Sequence, residues 1–451
     1  MFFNFLIKIG LKFGIDGAIG YTVLTRILQS IGGLVTIVFI ALFLSQAEQG
    51  YYYTFGSIIA IQVFFELGLN SIITQYVAHE AVHLKWLSNA ELTGNSLHLS
   101  RLSSLLRFCI KVYGFLAFIL FIALVISGYV FFTRYHHGID HVFWQFPWIL
   151  VSFSTSLMFI VSPILAFIEG LGQVKEVAKL RFIQTLLNIC TIALVFVFDG
   201  RLLALVIASL VSFSILSGNI LFSNKKKLLL FIYHAKTKWS VDYWKEIYPY
   251  QYKIALSWIS GYLLFQLFNP VLFAFEGPKV AGQMGMTLTA LNGISSLSMS
   301  WISTKVPLYS SLIATKTFER LDSIFNQTLK QLSLVNFLLI VAFLSIIYML
   351  NQLKLPLASR FLDAIPLILL CVVTFANQFI FSWGTYLRCH KKEPFLINSI
   401  VIGLLCALST LLLGKYFGLM GIVIGYSIIS VAIGLPWGYV IFKTKKIEWH
   451  G

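Results

Sequence analysis

Charge is scarce in this chain of 451 residues, and acidic charge scarcer still: 11% of residues are charged, with 17 Asp and Glu against 33 Lys and Arg. A soluble domain carries roughly a quarter charged residues to cover its surface, so water is not the main solvent here. Cysteine is sparse and unpatterned. Cys109, Cys190, Cys371, Cys389 and Cys406 form an odd set without metal-ligand spacing, which argues against both a disulfide framework and a zinc ribbon. The opening stretch from Met1 to Lys8 has no small-residue cleavage site, so it is not a signal peptide; with Lys8 and Lys12 it reads as an amphipathic interfacial helix. The absence of a Gly-rich phosphate-binding loop excludes an ATPase.

What the chain has instead is apolar length. Hydrophobic residues make up 58%, and mean hydropathy is +0.86. Bilayer hydrocarbon takes roughly 20 helical residues to cross, and twelve stretches are long and apolar enough: 19 to 44, 51 to 78, 109 to 132, 142 to 168, 182 to 198, 202 to 222, 247 to 274, 280 to 304, 333 to 350, 362 to 386, 395 to 413 and 418 to 442. All are predicted helices, because backbone exposed to lipid must satisfy its own hydrogen bonds. Of 33 Lys and Arg, only Arg134, Arg201, Lys279, Lys354, Arg360 and Lys415 fall on one side; the other 27 make their side cytoplasmic by the positive-inside rule. Twelve spans are even in number, so both termini are expected there. The excess positive charge of +16 sits in juxtamembrane segments such as Lys225, Lys226 and Lys227, which points to anionic lipid and away from nucleic acid.

Gaps on the outer side reach about eleven residues at most, too short for an external catalytic domain. Cytoplasmic gaps are longer, and in that from 305 to 332 Ile313, Leu321, Ile324, Phe325 and Leu332 predict a helix along the membrane surface. The longest polar interruption separates two lobes: 1 to 222, a basic loop from 223 to 246, and 247 to 451. Internal similarity supports this division. Ala47 to Gly50 lies in register with Lys279 to Gly282 at an offset of 232, and Asp199-Gly200 with Ser209 to Ser212 matches Phe417-Gly418 with Ser427 to Ser430 at 218. The expected architecture is an all-α polytopic membrane protein, about twelve transmembrane helices in two parallel-repeat lobes of six around a central cavity. Tyr51 to Tyr53, Trp144 and Trp148 are expected at the outer membrane interface, with Trp239, Trp244 and Trp301 at the inner one.

Polar groups inside the spans mark candidate functional residues, since an ionisable side chain in hydrocarbon costs several kcal/mol. Arg26 lies in helix 1 on a stripe with Thr22, Gln29, Gly33 and Thr36; snorkelling to nearby headgroups would also explain it. Glu66 lies near the middle of helix 2, where Gln62, Glu66, Asn70 and Thr74 recur every four residues and predict one polar face lining water. Helix 7 contributes Lys253, Ser257, Tyr262, Gln266 and Asn269, and helix 8 Thr289, Asn292, Ser296, Ser300 and Ser303, although small polar residues also pack helix against helix. Pro163, Pro270, Pro366 and Pro436 interrupt spans where helices bend. His79-Glu80-Ala81-Val82-His83 matches the zinc-protease pattern, but its possible third ligands, Glu91 and His98, lie in a polar stretch without a second ligand helix. These read as surface histidines, and no metal or other cofactor is expected.

Helix 2 also carries a family likeness. Glu48-Gln49-Gly50-Tyr51-Tyr52-Tyr53-Thr54-Phe55, then Gln62-Val63-Phe64-Phe65-Glu66-Leu67-Gly68-Leu69, then Gln75 and His79-Glu80, resemble a bacterial O-antigen or polysaccharide flippase of the Wzx type. That family belongs to the multidrug, oligosaccharidyl-lipid and polysaccharide exporters. The resemblance is detailed over about residues 20 to 85. It implies alternating-access translocation of an undecaprenyl-pyrophosphate-linked oligosaccharide across the bacterial inner membrane, without enzymatic chemistry. By the same implication, membrane lipids and the polysaccharide polymerase and chain-length machinery would be partners. Arg26 and Lys253 would take the pyrophosphate. Gln62, Asn70, Gln266 and Asn292 would meet hydroxyls, and Glu66 would hold Arg26 or carry a coupling proton. A cation- or proton-coupled multidrug exporter of the same fold group is the alternative, with Glu66 as ion site.

Overall fold

The computed structural model describes residues 17–88, 91–135, 142–235, 239–390 and 392–450. The expected interfacial helix with Lys8 and Lys12 lies outside them. The described residues are overwhelmingly helical, and the chain is an all-α polytopic membrane protein. In chain order the elements are α1 Gly17–Phe43, α2 Gln46–Ile59, α3 Val63–Glu66, α4 Leu69–Ala81, a hairpin of β1 Leu84–Ser88 and β2 Glu91–Gly94, α5 Ser96–Arg134, α6 Gln145–Gly170, α7 Val174–Val197, α8 Leu203–Phe222 and α9 Asn224–His234. There follow α10 Tyr248–Phe265, α11 Phe268–Glu276, α12 Pro278–Ser303, α13 Val306–Ala314, α14 Phe318–Gln352, α15 Ala364–Arg388, α16 Leu396–Ser427 and α17 Leu435–His450.

Among the described residues, nine helices are long and apolar enough to cross a membrane, or ten with the bent stretch from Gln46 to Ala81. The difference from twelve has two sources. Helix α12 has the length, at 26 residues, but its small polar side chains keep it out of the count. The run Leu396–His450 counts once, although Gly418 (φ 56°, ψ −140°) breaks it between two expected spans. Two further expectations are corrected. The segment predicted to lie on the surface from 318 is the first part of α14, which continues unbroken to Gln352. Tyr51, Tyr52, Trp144 and Trp148 are packed inside the protein, whereas Trp239, Trp244 and Trp301 are exposed.

Helix 2 is not one helix. A turn of 3-10 helix at Ala60–Gln62 precedes α3, and Leu67 (φ 47°) and Gly68 (φ 70°) then adopt left-handed conformations before α4 begins. The two arms meet at 42°. Glycine enters this region freely, whereas leucine pays about 1 kcal/mol or more there. A Cβ at Gly68 would also stand 2.2 Å from the Ile254 side chain on α10.

The chain forms two compact units. The first comprises the described residues up to Gln29 with Ile59–His136 and Phe143–Trp258; the second contains Ser30–Ile58 and Ile259–Gly451. Bare backbone allows the close packing in the first unit. Trp148 fills the space beside Gly128, where a Cβ would lie 2.0 Å from the indole, and its Nε1 donates to the Leu124 carbonyl at 3.0 Å. Gly170 of α6 likewise approaches the Thr74 carbonyl of α4. Such small-residue contacts replace the hydrophobic drive that lipid cannot supply between helices.

In the second unit α2 crosses α12 at glycine. A Cβ on Gly50 would stand 2.0 Å from the Pro278 carbonyl oxygen, and one on Gly282 would stand 2.9 Å from the Gly50 nitrogen. These positions are in register at the offset of 232 noted in the sequence. Three residues on, Tyr53 and Gly285, at the same offset, also touch. Nearby, Arg360 donates to the Leu44 carbonyl at 2.6 Å and the Ala41 carbonyl at 3.2 Å, satisfying carbonyls that the end of α1 leaves open.

The end of the chain is tied down at His390 and His450, whose Nε2 atoms are 3.1 Å apart. Phe318 stacks on His450, and Lys446 pairs with Asp322 at 2.8 Å. Burial pushes both imidazoles below the ordinary histidine value; Lys392 adds to this at His390, and His390 itself and Lys446 at His450, while Asp322 opposes it at both. The folded state therefore binds fewer protons than the unfolded one. This contribution is present above the ordinary pKa of about 6.5 and is lost as pH falls below it. Purified protein should melt lower at pH 5.5 than at pH 7.5, and His450→Asn should shrink that difference; an unchanged difference would remove the pair from the pH response.

Candidate functional site

In the first unit a polar cluster forms around Asn70, in the first turn of α4 directly after the break. Its Nδ2 donates to Glu66 Oε1 at 2.8 Å and lies 2.7 Å from Ser162 Oγ of α6, and its Oδ1 accepts from the Tyr113 hydroxyl of α5 at 3.1 Å. One turn on, Thr74 donates toward the Asn70 and Ala166 carbonyls at 3.2 and 3.1 Å. Glu66 also feels the charge of Arg181 on α7, whose guanidinium lies 3.3 Å from Glu169. Amide and hydroxyl groups with one half-buried carboxylate thus meet where three helices approach. Such a group can bind hydroxyls, or hold a proton or cation at Glu66.

The predicted residues are placed as follows. Glu66 and Asn70 are brought together by a direct bond, but the break at Leu67-Gly68 interrupts the helical phase, so Gln62, Glu66, Asn70 and Thr74 do not form one continuous helical face. Gln62 is half-buried at the end of the 3-10 turn, and Arg26 is exposed on α1. Lys253 belongs to α10, with its side chain outside the described part of the structure. These all belong to the first unit. In the second unit Gln266 is half-buried in the gap between α10 and α11, and Asn292 is exposed on α12. The α12 stripe is partly structural: Thr289 and Ser300 bond to carbonyls of their own helix, and Ser296 meets Ser30 at 3.3 Å.

Sequence reasoning missed Tyr113, Ser162 and Arg181. Ser162 precedes Pro163 inside an apolar helix, a signal that was present; Tyr113 is one of three hydroxyl side chains in an aromatic-rich span, and Arg181 stands where a span edge was expected.

The zinc-protease look-alike resolves into an ion network. His79 and His83 are exposed, but Glu80 is buried and accepts from Arg101 at 2.9 Å, with His98 Nδ1 at 2.6 Å. Arg101 also contacts Glu246 and the Tyr76 hydroxyl, and Tyr76 donates to Glu246 at 2.7 Å. The network ties α4, α5 and the turn leading into α10 together within the first unit.

No protein-family model matches the chain, and no curated protein matches it in sequence. Solved structures do. One, described as the inward-facing conformation of a multidrug resistance MATE family transporter of the MOP superfamily, aligns with a TM-score of 0.63 at 15% identity, covering 93% of this chain and 96% of that one. This chain has the MATE transporter fold. A MOP superfamily transporter from Pyrococcus furiosus Vc1 (DSM3638), described by a binding pocket of reverse polarity suggesting a different function, aligns at TM-score 0.55 and 14% identity over 95% of this chain and 96% of that one. The MATE multidrug transporter DinF-BH, solved as a complex, aligns at 0.53 and 16% over 94% of each chain. The MATE fold thus spans nearly the whole chain, while identity this low leaves the polar groups to be read from this sequence alone.

Proposed function

We propose that this protein is a flippase that moves an undecaprenyl-pyrophosphate-linked oligosaccharide across the bacterial inner membrane by alternating access, with both termini in the cytosol. The observation that carries this reading is the Asn70 cluster, where amide and hydroxyl groups converge at a break in a membrane helix. Apolar cargo has no use for such groups, whereas a sugar chain needs many weak donors and acceptors. The likeness of residues 48 to 80 to polysaccharide flippases supports it, as does a fold whose solved relatives are transporters. In this reading Arg26 and Lys253 attract the pyrophosphate, Gln62, Asn70, Gln266 and Asn292 meet hydroxyls, and Glu66 carries the coupling proton or orients Asn70.

A multidrug exporter is the second reading. It is favoured by solved relatives described as multidrug transporters and by a single carboxylate amid neutral polar groups. Deleting the gene separates the two. Lipid-linked oligosaccharide accumulating in the inner leaflet, with loss of surface polysaccharide and rescue by the intact chain, supports the flippase; normal polysaccharide with altered sensitivity to cationic drugs supports the exporter. Glu66→Ala and Arg26→Ala should each fail to rescue while inserting at wild-type levels. Full rescue by both would remove them from the mechanism.

A further inference from the structure

A second polar cavity lies in the first unit, away from Asn70. It is about 450 Å³, within the range of small-molecule sites, and is formed by β1, the turn joining α6 to α7, and the joint between α8 and α9. Trp86 on β1 stands at its edge with 44% of its surface exposed. Gln173, Glu176, Asn219, Asn224 and Lys225 also line it. Gln173 Oε1 is buried without a hydrogen-bond partner. Lys225, only 7% exposed, holds its ammonium 2.7 Å from Asn219 Oδ1 and 3.4 Å from Glu176. The turn itself leaves room: Gly172 has φ 91° and no atom within 4 Å of where a Cβ would stand.

We infer that this cavity is a carbohydrate-binding site for a mono- or disaccharide unit. Three features select that chemistry. The indole offers an apolar face with a polar rim, the surface on which the C–H face of a sugar ring stacks. The three amides, the carboxylate and the buried ammonium supply donors and acceptors. The charges of Lys225 and Glu176 cancel, so the site favours a neutral polyhydroxyl ligand over a phosphate, which would meet the Glu176 carboxylate. For the origin of its sugar the site rests on the flippase reading and its orientation, which put this end of the first unit in the cytosol. There the cavity would hold the head of a lipid-linked oligosaccharide before translocation.

Full-length protein in lipid nanodiscs, titrated with free glucose, galactose, N-acetylglucosamine and their disaccharides and read by saturation-transfer NMR, tests the site directly. At least one neutral sugar should bind, at millimolar affinity. Trp86→Ala should weaken it at least tenfold and Gln173→Ala several-fold, while Trp86→Phe, which keeps a stacking ring, should stay within about threefold; melting temperatures identify any variant that fails to fold. Absence of sugar binding, binding indifferent to Trp86→Ala in a folded variant, or displacement of the sugar by phosphoethanolamine would overturn the inference, the last by making the cavity a lipid-headgroup site. Sugar binding that depends on Trp86 stands even if the deletion strain flips its oligosaccharide normally, so the site and the flippase reading can fail separately.

Discussion

Gly50→Val should leave almost no folded protein. A Cβ at this position would lie 2.0 Å from the Pro278 carbonyl oxygen and 2.7 Å from Pro278 Cα, both main-chain atoms at the start of α12 that no rotamer change can move. Overpacking a well-filled contact ordinarily costs about 1 to 3 kcal/mol, and here the helices themselves would have to separate, so a loss beyond about 3 kcal/mol is expected. A fluorescent-protein fusion run on size exclusion in mild detergent reads this as disappearance of the monodisperse peak. Gly293→Ala, in the same α12, is the control. Nothing lies within 4 Å of its Cβ position, and alanine should match or raise the wild-type melting temperature, by at most about 1 kcal/mol. A normal peak for Gly50→Val would mean that α2 and α12 do not cross as described.

Arg101→Ala should give the next largest effect. Removing the guanidinium leaves the buried Glu80 carboxylate with His98 alone and takes from Glu246 its cationic partner. Breaking a buried ion pair from one side costs about 3 to 5 kcal/mol, and the partial exposure of Arg101 and Glu246 puts this site near or below the lower figure. The melting temperature should fall clearly. Arg101→Lys should recover part of the loss, because lysine restores charge without the fork that reaches both carboxylates. Glu80→Gln tests the same network from its buried end. If Arg101→Ala melts like the wild type, the network is a surface feature without weight.

The membrane class and most spans were legible, because apolar length and the distribution of Lys and Arg are properties of whole segments. What escaped were features set by single residues. Leu67-Gly68 reads in sequence as an ordinary apolar dipeptide; only packing against Ile254 and a left-handed Leu67 show that helix 2 breaks there. Glu66 and Asn70 were found because four-residue spacing survives locally across the break, while the continuous face drawn through them did not. Tyr113, Ser162 and Arg181 come from three other helices, and nothing in linear order joins them to Asn70. His79 and His83 are surface histidines as expected, but the buried role of Glu80 escaped, since spacing within one helix says nothing of Arg101 and Glu246. Aromatics at Tyr51, Tyr52 and Trp148 were assigned to the interface by type, and composition cannot distinguish an anchor from a core residue.

The crossing of α2 and α12 also bears on how such a chain can vary. A Cβ on Gly50 would meet the Pro278 carbonyl and one on Gly282 the Gly50 nitrogen, so neither position has room for a side chain of any kind. Tyr53 and Gly285 are bound to each other instead: the ring fills the space that a Cβ at 285 would take, so a side chain can enter at 285 only together with a smaller residue at 53.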